Sequence, residues 1–165
     1  MMRQVDGLDR QLMALIGEEG RLPLADVARR LGISRPTVAA RLRALLEDGV
    51  LRVAGLVDMF RLPGVTVALV GLTLDKYLLD EKIEQIAGLP EVNWAAVVTG
   101  RYDIIVEVAT EDGMAGLYGF LTQSLEGVGG IQSSEMFVVM KARRKWTLPA
   151  PGMREAWSRG GPYRP

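Results

Sequence analysis

The sequence predicts an α+β fold in two parts: three short helices with a hairpin, then a four-stranded antiparallel sheet carrying two helices. Three observations predict it. Before residue 50, apolar residues recur at helical spacing in three runs interrupted by Gly17 and Gly32. From residue 65 the period changes, and strand-like runs alternate with helical ones. Those strand-like runs are apolar on both faces, so a sheet covered by two helices on one side still has a second face to bury. A hydrophobic share of 48% against 24% charge gives the chain enough apolar material for such cores.

The first helix is expected from Asp6 or Asp9 to Gly17, with Leu8, Leu12, Leu15 and Ile16 on one face. The second runs from Pro23 to Leu31 and stops at Gly32, with Leu24, Val27, Ala28 and Leu31 facing inward. Ser34 caps the third, and Pro36 lies in its first turn, where a missing N–H costs nothing. Val38, Leu42 and Leu45 form its inner stripe, and Gly49 ends it. Val50–Val53 and Leu56–Met59 read as two short strands turning at Ala54–Gly55, a wing beside the third helix.

Two short helices joined by a tight turn are the pattern of a helix-turn-helix, whose second helix enters the DNA major groove. The formal net charge is zero, so attraction to phosphate has to be local. It is: Arg29, Arg30, Arg35, Arg41 and Arg43 follow one another with no acidic residue between them. The expected DNA contacts are Ser34, Arg35, Pro36, Thr37, Ala40, Arg41 and Arg43 on the third helix and Arg52 on the wing. The competing reading of the same residues is a plain three-helix core with solvated arginines.

In the second part, VTVALVGLTLD is strand-like, LLDEKIEQIAGL helical, and VNWAAVVTG a strand. YDIIVEVAT is another strand, 111–126 a helix, and GIQSSEMFVVMKAR the last strand. The order βαββαβ is that of a ferredoxin-like sandwich domain. The uncovered face implies a homodimer formed through the sheet.

Absences narrow the chemistry. The chain has no cysteine and no histidine. That removes disulfides, thiolate chemistry, the usual neutral-pH base and the commonest metal ligand. No cofactor and no metal site is expected. No apolar run approaches the roughly 20 residues of a membrane span, and Asp6 and Asp9 precede any signal-like run, so a cytoplasmic location without membrane contact is expected.

Over about residues 6–148 the chain resembles the Lrp/AsnC (leucine-responsive, feast/famine) transcriptional regulators. The resemblance is carried by LDRQLMALI, by LADVARRLGISRPTVAARLRALLEDGVL, by PEVNWAAVVTGRYDIIVEV and by the closing VVMKARRKWTLP, in that order. It implies a regulator rather than an enzyme. A winged helix-turn-helix domain (1–60) would bind double-stranded DNA, and a ferredoxin-like domain (61–148) would bind an effector and join copies into dimers, often assembled into octamers. The effector implied is a small metabolite, commonly an amino acid. The family's effector loop falls on Thr99, Gly100, Arg101, Tyr102 and Asp103, with Ser133, Ser134 and Glu135 completing the pocket. Here the chain departs from the family in three places: RVAG stands in the wing, Arg101 brings a cation into the loop, and a Pro/Gly-rich tail (149–165) follows Leu148. That tail is expected either as a disordered extension or as a segment anchored on another subunit by Trp157. Two other functions stay open: a low-specificity chromosome-organising protein, and a tetrapyrrole decarboxylase-like enzyme, which the lack of histidine disfavours.

Overall fold

A computed structural model describes residues 4–75 and 79–159. The chain divides into two compact units between Gly55 and Leu56.

The first unit is three helices: α1 (Gly7–Glu18), α2 (Leu24–Leu31) and α3 (Arg35–Glu47). Asp6 and Asp9 start α1 as a capping box: the Asp6 carboxylate accepts from the Asp9 N–H at 2.8 Å, and Asp9 from the Asp6 N–H at 3.3 Å. Gly32 ends α2 in the left-handed region (φ 67°), its N–H reaching the Ala28 and Arg29 carbonyls. Ser34 then caps α3, its hydroxyl accepting from the Thr37 N–H at 3.2 Å. Leu12, Ile16, Val27, Ala28, Val38 and Leu45 meet in one core.

The expected wing hairpin differs from what the chain does after α3. The N–H groups of Val50 and Leu51 both donate to the Leu45 carbonyl, so the chain leaves the helix as a capping turn. No strand forms over 50–56. Val57 instead exchanges both of its backbone bonds with Thr147 (2.8 and 3.1 Å) within the second unit, and Met59–Arg61 closes into a 3₁₀ turn capped by Asp58. The backbone N–H and C=O of Val57 are thereby taken, and the N–H groups of Val50 and Leu51 are spent on the end of α3.

The second unit holds a four-stranded sheet in the order β2-β3-β1-β4, every neighbouring pair antiparallel: β1 (Thr66–Leu74), β2 (Val92–Val97), β3 (Ile104–Thr110) and β4 (Ile131–Val138). On one face lie α4 (Leu79–Ala87), α5 (Gly113–Gly119), a π-helical turn (Phe120–Leu125) and the short α6 (Glu126–Val128). This is the ferredoxin-like βαββαβ order. Ala68, Val70, Leu72, Ile104, Val106 and Val108 face the helices and pack with Ile86, Leu117 and Phe120.

The outer face of the sheet is covered at one end by the chain itself. Val67 and Ala109 form a separate cluster with Met59, Ala150 and Met153. Ala150 and Met153 belong to the stretch expected as a tail. Over Pro151–Arg159 that stretch is instead a helix, α7, whose Trp157 indole N–H donates to Glu111 Oε1 at 2.7 Å in the same unit. Residues 160–165 of the tail lie outside the described residues. On the two edge strands, Trp94 (39% exposed) and Phe137 (47%) of the outer face remain open.

Candidate functional site

The exposed side of α3 carries Arg35, Pro36, Thr37, Ala40 and Arg43, with Ser34 at its start; Arg52 is exposed beyond its end. Val38 and Leu45 are fully buried on the other side, so the core fixes which way the outer side chains project. Among the described residues, neither Arg35 nor Arg43 has an ion-pair partner. Small Ala40 sits one residue-turn before Arg43, which lets a helix approach base edges while the arginine reaches past it.

Arg41 is placed differently. Its guanidinium turns to the start of α1, with Nη1 2.7 Å from Asp6 Oδ2 and 2.8 Å from Asp9 Oδ1, and Asp9 is buried. Hydrogen bonds to the two carboxylates push the Arg41 pKa up. The Asp6 carboxyl is held below its ordinary value, first by the Asp9 N–H and then by Arg41. The capping-box spacing of Asp6 and Asp9 was the available sign that an acidic pair would want a cation.

In the second unit, residues 98–103 link β2 to β3. The Val98 N–H donates to the Asp103 carbonyl at 2.9 Å, and Gly100 takes φ 132°, a value that side chains rarely adopt. Thr99, Gly100 and Arg101 are exposed. Asp103 is tied to the central strand twice: its N–H donates to the Leu72 carbonyl at 2.8 Å, and its Oδ2 accepts from the Leu74 N–H at 2.9 Å. The side chain of Asp103 is thus held by β1, while its carbonyl closes the loop on Val98.

The structure brings Arg101, Tyr102 and Glu135 together. The Tyr102 hydroxyl donates to Glu135 Oε2, the Arg101 guanidinium lies 3.2 Å from the same oxygen, and its carbon stands 5.5 Å over the Tyr102 ring. Acceptance by Glu135 raises the Tyr102 pKa. Alternation along β4 puts Ser133 and Glu135 on the outer face and Ser134 on the helix side. Ser134 accordingly lines a separate cavity of about 280 Å³ with Leu121, Leu125, Glu126, Gly129 and Gly130. The residues expected in one pocket therefore fall, within one chain, into two places.

Sequence reasoning missed the anchoring of the basic segment before the tail. Lys145 Nζ lies 2.6 Å from Glu107 Oε2, on a carboxylate only 2% exposed that also accepts from Asn93 Nδ2 at 2.9 Å. A buried Glu in mid-strand was the signal, since such a charge needs a partner.

Comparison with known proteins agrees with this layout. Residues 5–52 match the winged helix-turn-helix DNA-binding family, and residues 67–147 the Lrp/AsnC ligand binding domain. An uncharacterized HTH-type transcriptional regulator of Pyrococcus abyssi is 31% identical over 144 residues, covering 87% of this chain and 90% of that one. Regulatory protein AsnC of Haemophilus influenzae is 26% identical over 142 residues, covering 85% and 94%. Among solved structures, a transcriptional regulator of Neisseria meningitidis in complex with L-Met superposes with a TM-score of 0.70 at 22% identity, covering 90% of this chain and 97% of that one. Two domains in this order, matched along most of their length, place the protein among DNA-binding transcriptional regulators and not enzymes: the chain belongs to the Lrp/AsnC family.

Proposed function

We propose that this regulator binds double-stranded DNA sequence-specifically through α3 and that an amino acid, bound at the loop 99–103, modulates its DNA affinity or assembly. The observation that carries the first half is the exposed row Arg35, Thr37, Ala40 and Arg43, whose arginines have no ion-pair partner among the described residues. Arg35 and Arg43 reach phosphate or guanine edges, and Ser34, Pro36 and Thr37 meet the backbone at the helix start. Arg52 contacts flanking phosphate from an extended segment. Arg41 braces α1 and thereby holds α3 in place.

The second half is supported by the loop's chemistry. Exposed backbone around Gly100 offers N–H groups to a carboxylate, and the remaining oxygen of Asp103 accepts from an ammonium. The Neisseria regulator's L-Met is an example of that ligand class on this fold. Ser133, Ser134 and Glu135 complete such a site only if chains assemble, because Ser134 faces away from the other two. A homodimer through the outer sheet face, with octamers built from it, meets that need. No cofactor enters this scheme, and the protein acts in the cytoplasm, where its DNA is. Among the described residues no helix is long and apolar enough to cross a membrane.

Fluorescence anisotropy with the protein's own upstream DNA and with random DNA, across a salt series, tests the reading. Specific binding is expected to be about 10³-fold tighter than random or better, with both affinities falling steeply as salt rises. Equal affinity for the two DNAs would favour the low-specificity chromosome-organising role and overturn sequence-specific regulation.

A further inference from the structure

We infer that Gly71 is a positioning residue for the loop 99–103: the bare backbone at this point of β1 is the seat of the Tyr102 ring, and it keys the loop to the outer face of the sheet. The inference rests on reading that loop as the effector site. Gly71 lies in the central strand, opposite Ile105 of β3 and Glu135 of β4. Its φ is not in the left-handed region, so the backbone itself does not call for glycine. Glycine inside a strand also weakens the strand, so its presence needs a reason.

The reason is close approach. A Cβ at Gly71 would stand 2.6–2.7 Å from three carbons of the Tyr102 ring, closer than real Cβ contacts come. The ring is held there from several directions. Its hydroxyl donates to Glu135, the residue directly across from Gly71, and its edge meets Phe137 with centroids 6.4 Å apart at 71°. The next residue, Asp103, is bound to Leu72 and Leu74, one and three residues further along β1. Two consecutive loop residues are thus gripped by one strand.

This arrangement has a functional consequence. Phe137 and the Tyr102 ring lie on the outer face, and Gly100 and Arg101 immediately precede Tyr102. A ligand that repositions the loop has to lift Tyr102 off Gly71 or press it down, and either movement changes the outer surface a second copy would meet. Gly71 lets one aromatic ring belong to both places.

The test is a melting cycle on the full chain with Gly71→Ala, Tyr102→Ala and the pair. Gly71→Ala is expected to lower the melting temperature in the wild-type background, because the ring is displaced. In the Tyr102→Ala background the same change is expected to raise it, since the seat is empty and alanine suits a strand better than glycine. Tyr102→Phe keeps the ring and is expected to retain the lowering. Shifts of one sign in both the wild-type and Tyr102→Ala backgrounds would overturn the seat. Protein amino acids added singly at millimolar concentration provide the second readout: one that raises the melting temperature of the wild type is expected to lose that effect in Gly71→Ala. Equal stabilisation of wild type and Gly71→Ala would overturn the positioning role. If no amino acid stabilises the wild type, the effector reading fails, and the melting cycle still decides the seat.

Discussion

Arg41 and Arg43 stand two residues apart on α3, and the helix sends them to opposite duties. Two residues advance about 200° around a helix, so one arginine turns to α1 while the other faces solvent. Arg43→Ala is expected to weaken specific DNA binding by about 1–3 kcal/mol and leave melting unchanged, as checked by anisotropy beside calorimetry. Arg41→Ala is expected to do the reverse in kind: it lowers the melting temperature, because the capping carboxylates lose their cation, and it weakens DNA binding only by loosening α3. The pH dependence follows from Asp6. Its folded pKa is depressed, so its stabilisation is fully present above the ordinary carboxylate pKa of about 3.9 and fades as pH falls through the lowered folded value. Acid melting curves of wild type and Arg41→Ala are therefore expected to converge below about pH 4. A constant separation down to the acid limit would count against this pairing.

At the scale of elements, caps and close approaches decide the boundaries. Ser34→Ala removes the acceptor for the Thr37 N–H and is expected to cost about 1 kcal/mol, with the loss visible in chemical denaturation of the first unit. Gly116 of α5 lies against Thr110 of β3 so closely that a Cβ would overlap the threonine hydroxyl. Gly116→Ala is expected to destabilise the second unit by about 1–3 kcal/mol, and Thr110→Ala in the same chain is expected to recover part of that, since it removes the hydroxyl and methyl but leaves the Cβ. These features show what a sequence discloses. Ser34, Gly32 and the stripe Val38, Leu42, Leu45 declare their helix because caps and 3.6-residue periodicity are local. The βαββαβ order is legible for the same reason, through runs whose period changes at residue 65. What pairs with what over long distances is not local. Val57 looks like the second strand of a hairpin, yet Thr147, ninety residues on, takes its backbone bonds. Met153 and Trp157 sit in a segment whose Pro and Gly suggest a tail, and only the uncovered Val67 and Ala109 explain why α7 forms there. The loop 99–103 announces its turn through Gly100, but nothing near it in sequence reveals that Gly71 leaves room for Tyr102.

For the whole molecule, the question is how much of the outer sheet face is left for another copy. Ala150 and Met153 cover its Val67–Ala109 end, and Lys145 reaches Glu107 beside it. The open remainder runs through Trp94, Ala96, Ile105, Leu69 and Phe137, an apolar strip with aromatic residues on the two outer strands. Aromatic residues half in water on the face of a sheet are the kind that anchor an interface. Phe137→Glu places a charge on that strip without touching the helix-side core. In sedimentation velocity it is expected to shift the proposed dimer toward monomer. Because a dimer presents two recognition helices to paired half-sites, losing it is expected to weaken binding to a two-half-site operator by about 10²-fold while leaving the intrinsic affinity for a single half-site unchanged. An unaltered sedimentation coefficient would overturn pairing through this face. The α7 cover would then have to be read as closing a face that never pairs, and the effector site would have to be completed at whichever surface the copies do share.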